Sequence, residues 1–198
     1  MTKLSILIPS IPSRFDRLFI QYKKLMVMAE GKPVEILAFT DNKKRSIGLK
    51  RDALVQIAMG DYLAFVDDDD EVYPNYVDAI IKGISEADGA DVISIQQHAS
   101  IEGGNKFLID FGVAKDNQEA RKVNGVWQDV TRKPFHTCAW KTPIAKRHHF
   151  PDASYGEDWH WCKRVLGDVQ KEHKIYGPIL CYHWSESVTE AAHVFPKD

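Results

Sequence analysis

The sequence predicts a single α/β domain with a mostly parallel central sheet and helices on both faces. Three observations carry that expectation. Over residues 4–95, short apolar runs alternate with stretches of helical periodicity, the pattern of successive strand–helix units. The runs Leu4-Ser5-Ile6-Leu7-Ile8 and Tyr62-Leu63-Ala64-Phe65-Val66 are apolar almost throughout, as strands covered on both faces must be. No Pro/Ser-rich linker divides the 198 residues, although the character of the chain changes near residue 96.

The elements follow in order. Leu4 to Ile8 reads as the first strand. Ser13 then reads as a helix N-cap, with Asp16 at the reciprocal capping position. Phe15, Leu18, Phe19, Tyr22, Leu25, Met26 and Ala29 recur every three or four residues and predict an amphipathic helix, which Gly31 and Pro33 stop. Val34 to Phe39 is the second strand. Ser46 caps a helix carrying Ala53, Leu54, Ile57 and Ala58, and Gly60 ends it. Tyr62 to Val66 is the third strand. Pro74 suits the first turn of a helix through about Ile84, and Asp91 to Ile95 is a fourth strand. Residues 97–135 hold Gly103-Gly104, Gly112 and Gly125 around apolar runs at 107–111 and 126–130, which predicts hairpins or loops. Glu157 to Leu166 reads as a helix and Ile175 to Tyr182 as a final strand.

Bulk composition narrows the class. Hydrophobic residues make up 44% and charged residues 27% of the chain, ordinary for a globular protein. A formal charge of −2 gives no general pull toward nucleic acid or an anionic membrane, so a polyanion would need a local patch. Cys138, Cys162 and Cys181 are odd in number and form no CxxC. That pattern suggests neither a disulfide framework nor a zinc knuckle, and it predicts a reducing, cytoplasmic location. No run reaches the roughly 18 apolar residues of an integral membrane segment, and the N-terminal run is too short for a secretion signal.

The chemistry concentrates at Asp67-Asp68-Asp69-Asp70, directly after the third strand. Crowded carboxylates repel one another, so keeping several ionised calls for water or a cation. A rigid strand tip bearing acids can hold a divalent cation, and that cation can hold a phosphate. Two more strand ends carry polar groups, Pro9-Ser10 and Thr40-Asp41-Asn42, where parallel sheets bind their ligands. Lys43, Lys44, Arg45, Lys50 and Arg51 lie between the acidic ends. Lys50 and Arg51 sit near a helix start, where the dipole disfavours cations unless an anion compensates. Cations beside strand-end acids suggest an anionic ligand bridged by a metal, and a nucleoside diphosphate fits.

Several segments together resemble family-2 glycosyltransferases of the GT-A fold. They are Ser5-Ile6-Leu7-Ile8-Pro9, Glu35-Ile36-Leu37, Lys50-Arg51-Asp52-Ala53-Leu54, and Gly60-Asp61-Tyr62 running into the acid tetrad, which takes the place of that family's DxD motif. Gly156-Glu157-Asp158-Trp159 is similar to its acidic ED segment. The resemblance covers about residues 4–85 and, more loosely, 138–166. It implies a nucleotide-binding half, 1–96, and an acceptor-binding half, 97–198, of one 1–198 domain. It further implies an inverting transfer of a sugar from a nucleotide-sugar donor, with a UDP-sugar the expected one, to a hydroxyl, with Mn²⁺ or Mg²⁺ as cofactor. Asp67 and Asp69 match the metal-binding acids, with Asp70 assisting and Asp67-Asp68 beside the nucleotide. Pro9, Ser10 and Asp41 would frame the base and ribose, and Lys50 and Arg51 the diphosphate. Asp158 matches the catalytic base and Glu157 the acceptor side. His183 corresponds to the late histidine that in some GT-A enzymes is a third metal ligand. The acceptor (glycan, small molecule, protein or modified DNA base) stays open. The second strand's Phe39-Thr40-Asp41-Asn42 replaces the family's usual paired acids, which leaves the nucleotide open too. The Gln-x-x-Arg-Trp motif of processive members is absent.

Two rivals share some of these features. A haloacid-dehalogenase-type phosphatase would use Asp68-x-Asp70 as its nucleophile motif, but that motif normally ends the first strand. A non-catalytic nucleotide-binding protein would bind donor and metal without turnover.

Overall fold

The computed structural model describes residues 2–186. In chain order the elements are β1 (Leu4–Ser10), α1 (Phe15–Ala29), β2 (Val34–Thr40), α2 (Ile47–Ile57), β3 (Tyr62–Phe65), β4 (Glu71–Val72), α3 (Tyr76–Glu86), β5 (Val92–Ile101), β6 (Phe107–Phe111), β7 (Lys122–Val123), β8 (Val126–Trp127), β9 (Val130–Arg132), β10 (Ala139–Lys141), α4 (Thr142–Ala145), α5 (Glu157–Val165) and β11 (Glu172–Trp184).

One sheet runs through the whole of this region in the order β2-β1-β3-β10-β5-β11-β4, with β6 beside the far end of β5 and β9 beside β6. β1 pairs in parallel with both β2 and β3, and β5 with β11. β10 runs against β3 and β5, and β4 against β11. Five strands of the main path therefore share one direction, as the fold class predicts. The chain steps from β1 outward to β2 and then back past β1 to β3. Right-handed crossovers send those two steps over opposite faces of the sheet. Accordingly α1 packs with α3, and α2 packs with α5.

The core gathers under the acid tetrad. Phe65, Trp140, Trp161 and Tyr76 are fully buried. Trp161 stacks on Phe150 at 4.6 Å and meets Phe65 edge-on at 6.2 Å. Each such side chain removed from water contributes about 1.5–3 kcal/mol. The indoles also satisfy their N–H groups, Trp161 Nε1 donating to His148 O and Trp140 Nε1 to Phe135 O. This aromatic block holds α5 against β3 and β10, which places the ED segment opposite the tetrad.

The structure differs from the sequence expectations at several elements. Ser13 is not a cap: Pro12–Arg14 form a tight 3-10 turn and α1 starts one residue later, with no side-chain cap. The inward stripe of α1 is Leu18, Gln21 and Leu25, which leaves Phe15, Phe19 and Met26 exposed. Ser46 does cap α2, accepting from Leu49 N–H at 3.2 Å. The helix after Pro74 begins at Tyr76. β5 continues past Ile95 to Ile101, so the change near residue 96 falls inside a strand. Residues 97–135 form β6 in a hairpin with β5, the β7–β8 hairpin and β9. Cys138, Cys162 and Cys181 are free and buried, in line with the absence of a disulfide framework. Among the described residues no helix is long and apolar enough to cross a membrane.

Candidate active site

The tetrad leaves β3 in a turn closed by Asp70 N–H donating to Asp67 C=O at 3.1 Å. It sits beside the end of β1. Ser10 Oγ donates to Asp68 Oδ2 at 2.6 Å, and Arg14 Nη1 lies 2.9 Å from both Asp68 Oδ1 and Asp69 Oδ2. Lys50, only 2% exposed, donates from Nζ to Ser10 O at 3.0 Å and pairs with Asp41 Oδ1 at 2.9 Å. That contact holds the Asp41 carboxyl below its usual range. The three expected strand ends are thus drawn together, with Lys50 between two of them.

Arg51 is the hinge between this corner and α5. Its Nη2 donates to Asp67 Oδ1 and Oδ2 at 2.8 and 3.1 Å, and its Nε donates to Glu157 Oε1 at 3.2 Å. The guanidinium lies 5.0 Å from the centre of the Phe65 ring. Two glycines permit the approach. A Cβ on Gly48 would stand 2.0 Å from Pro151 O, so only glycine lets the start of α2 meet the loop before α5. Gly156 begins α5 at φ 72, a left-handed conformation that side chains resist. Glu157, expected on the acceptor side, is instead 4% exposed and serves as a counter-charge to Arg51. A buried guanidinium requires such partners.

His136 completes the cluster. Phe65 N–H donates to His136 O, fixing that residue beside β3. Its ring is buried, with Nε2 3.5 Å from Asp67 Oδ2 and Nδ1 3.4 Å from Asp158 Oδ2. Asp158 Oδ1 accepts from Trp159 N–H at 2.6 Å. Asp158 therefore faces Asp67 across one imidazole, and the structure brings the expected base position to the tetrad.

The acids differ sharply in proton affinity. Burial would raise Asp67, but Arg51 and His136 outweigh it and hold its carboxyl far below the usual range. Burial raises Asp68 against the pull of Ser10 and Arg14. Burial and the neighbouring Asp67 push Asp69 up to about 6. Burial, then Asp67 and Asp69, raise Asp70 well above the usual range. Both carboxyl oxygens of Asp70 are buried and, among the described residues, lack a hydrogen-bond partner. Orphaned oxygens amid mutually repelling acids fit a hard divalent cation, which takes oxygen ligands.

His183 does not join that group. Its Nε2 lies 3.4 Å from Glu71 Oε2, and with Cys181 the two residues form a trio whose ligand atoms lie within 4.8 Å of one another. Tyr182, its neighbour on β11, has its hydroxyl raised by burial and then by the charges of Asp70, Asp67 and Asp69. Strand alternation then sends His183 to the other face. Sequence reasoning also missed two members of the cluster. Arg14 could have been suspected from its place just after Pro9-Ser10. His136 offered no ligand spacing, because its partners come from distant segments.

A family model described as "Glycosyl transferase family 2" matches residues 21–141, more than half of the chain. The chain belongs to glycosyl transferase family 2. Similar solved structures share the fold of this family-2 chain. S. aureus TarS 1–349 in complex with UDP superposes with a TM-score of 0.63 at 15% identity, covering 93% of this chain and 61% of that one. The same fragment in complex with UDP-GlcNAc gives 0.63 at 13% identity, covering 95% and 60%. The bifunctional IspDF from Campylobacter jejuni gives 0.51 at 10% identity, covering 89% and 50%. This chain spans less than two thirds of each. No curated protein matches it by sequence.

Proposed function

We propose that this chain transfers a sugar from a nucleotide-sugar donor to an acceptor hydroxyl with inversion at the anomeric carbon. The observation that carries the reading is the placement of Asp158 opposite the tetrad, bridged by His136, in a family-2 chain. The ends of β1 and β2, with Pro9, Ser10 and Asp41, frame the nucleoside, and residues 1–96 supply most of the donor side. UDP is the first nucleotide to test, since the TarS fragment has been solved with UDP and with UDP-GlcNAc. Asp67, Asp69 and Asp70 would hold a Mn²⁺ or Mg²⁺, which when bound neutralises charge on the departing diphosphate.

The chain's own residues do the rest. The acceptor oxygen attacks the anomeric carbon and Asp158 takes its proton. The carbon–oxygen bond to the diphosphate breaks, and its electron pair leaves with the nucleotide. His136 orients Asp158. Arg51 keeps Asp67 ionised, and Arg14 opposes, without overcoming, the rise of Asp68 and Asp69.

Thermal-shift screening of nucleotide sugars with Mn²⁺ should find one that raises the melting temperature, because ligand binding to the folded state stabilises it. Asp69→Ala should lose that shift. Asp158→Asn should keep it while nucleotide release falls by about 10²–10⁴. Full activity in Asp158→Asn would remove the base assignment. A donor-induced shift with no turnover in the wild type would leave a binding protein rather than an enzyme. Family membership sets the phosphatase alternative aside.

A further inference from the structure

Beyond the donor corner, β11, β5, β6 and β9 present one continuous face. Tyr182 and Trp184 on β11 are in register with Ala99 and Ile101 on β5, and Ala99 with Phe107 on β6. Two residues along, Ile109 shares that face with Phe107, by the period of a strand. These side chains wall a cavity of about 340 Å³, within the size range of small-molecule sites. Among the described residues the wall is apolar and aromatic apart from Arg132 on β9, the one charged residue lining it. Arg132 Nε is buried and, among the described residues, has no hydrogen-bond partner. A buried donor of this kind costs free energy until an acceptor atom meets it.

Packed side chains connect the cavity wall to the chemistry. On the same face of β5, Gln97 Oε1 accepts from Thr137 Oγ1 at 2.9 Å, and Thr137 follows His136 in the chain. On β6, Phe111 stacks with Phe135, whose ring lies 4.6 Å from that of His136. His136 in turn lies against Asp158. These contacts run from the strands of the cavity wall to the residue proposed as base.

We propose that this cavity binds the sugar acceptor, and that the acceptor is a small molecule with an apolar ring or chain and one anionic group, carboxylate or phosphate, seated on Arg132. The aromatic walls take the ring or chain, the guanidinium takes the charge as a bidentate donor, and the hydroxyl is left facing Asp158. The transfer step rests on the glycosyltransferase reading; the binding step does not.

Matched probes separate the two. By titration calorimetry the full chain should bind 4-hydroxyphenylacetate at least about tenfold more tightly than neutral 4-hydroxyphenylacetamide, the discrimination a hydrogen-bonded charge supplies. A third probe, 4-hydroxybenzylphosphonate, tells phosphate-type from carboxylate-type recognition by its rank. Arg132→Gln should erase the preference and Arg132→Glu should reverse it, with both variants melting near the wild type. Equal affinity for the charged and neutral probes, or a preference that survives Arg132→Gln, overturns the proposal. Selective, Arg132-dependent binding without UDP release from any donor would uphold the cavity and sink the glycosyltransferase reading. Acceptor-stimulated release that ignores Arg132 would do the reverse.

Discussion

The ends of β1–β3 and the face shared by β5, β6 and β11 are built differently. The first is crowded with carboxylates and cations held by contacts of about 3 Å among Ser10, Arg14, Lys50, Arg51 and the tetrad. The second is a cavity with, among the described residues, one charged lining residue, Arg132. A fixed lattice of charges suits a ligand part that never varies, which in the proposed reaction is the diphosphate. An apolar wall with one charge discriminates by shape and by a single sign, and small substitutions can retune it.

The largest effect should come from Arg51→Ala, which strikes the charged side. It leaves Glu157 a buried charge without its partner and Asp67 with His136 alone and should cost about 3–5 kcal/mol in urea unfolding, with loss of the donor-induced thermal shift. Phe111→Ala tests the apolar side. Its ring is 1% exposed, so truncation should destabilise by up to about 3–5 kcal/mol through lost burial and a cavity while donor binding at the tetrad survives. If both substitutions abolish donor binding alike, the two regions are not separable. The smallest effect should come from Ser46→Ala, which removes the α2 cap. A loss of about 1 kcal/mol with donor affinity unchanged would show that α2 is positioned by Arg51 and Gly48 rather than by its cap.

The donor side was the more legible half in the sequence because its signals are local. Apolar runs mark buried strands, and the tetrad follows one of them directly. The second half hid its strands behind polar letters. Gln96, Gln97 and His98 made β5 seem to end at Ile95, yet each finds a partner across the sheet: Gln96 with Asp110, Gln97 with Thr137, and His98 with Tyr73. Satisfied in this way, polar residues cost a strand little, but the partners lie too far along the chain for any window to see. His136 escaped notice for the same reason. Glu157 and His183 were readable as chemistry-bearing residues; which way they face depends on α5 docking against Arg51 and on the alternation along β11.

Three thiols lie at different depths of this architecture, Cys138 ahead of β10, Cys162 on α5 and Cys181 on β11, each at most 3% exposed. Burial lifts Cys138 to about 11 and also raises Cys162 and Cys181, so none is a ready thiolate. A maleimide can reach each sulfur only when the overlying segment lifts away. The molecule thus carries its own clocks: the labelling rates of these three positions, followed with and without nucleotide sugar, would time the breathing of the central sheet, the α5 flank and the far edge separately.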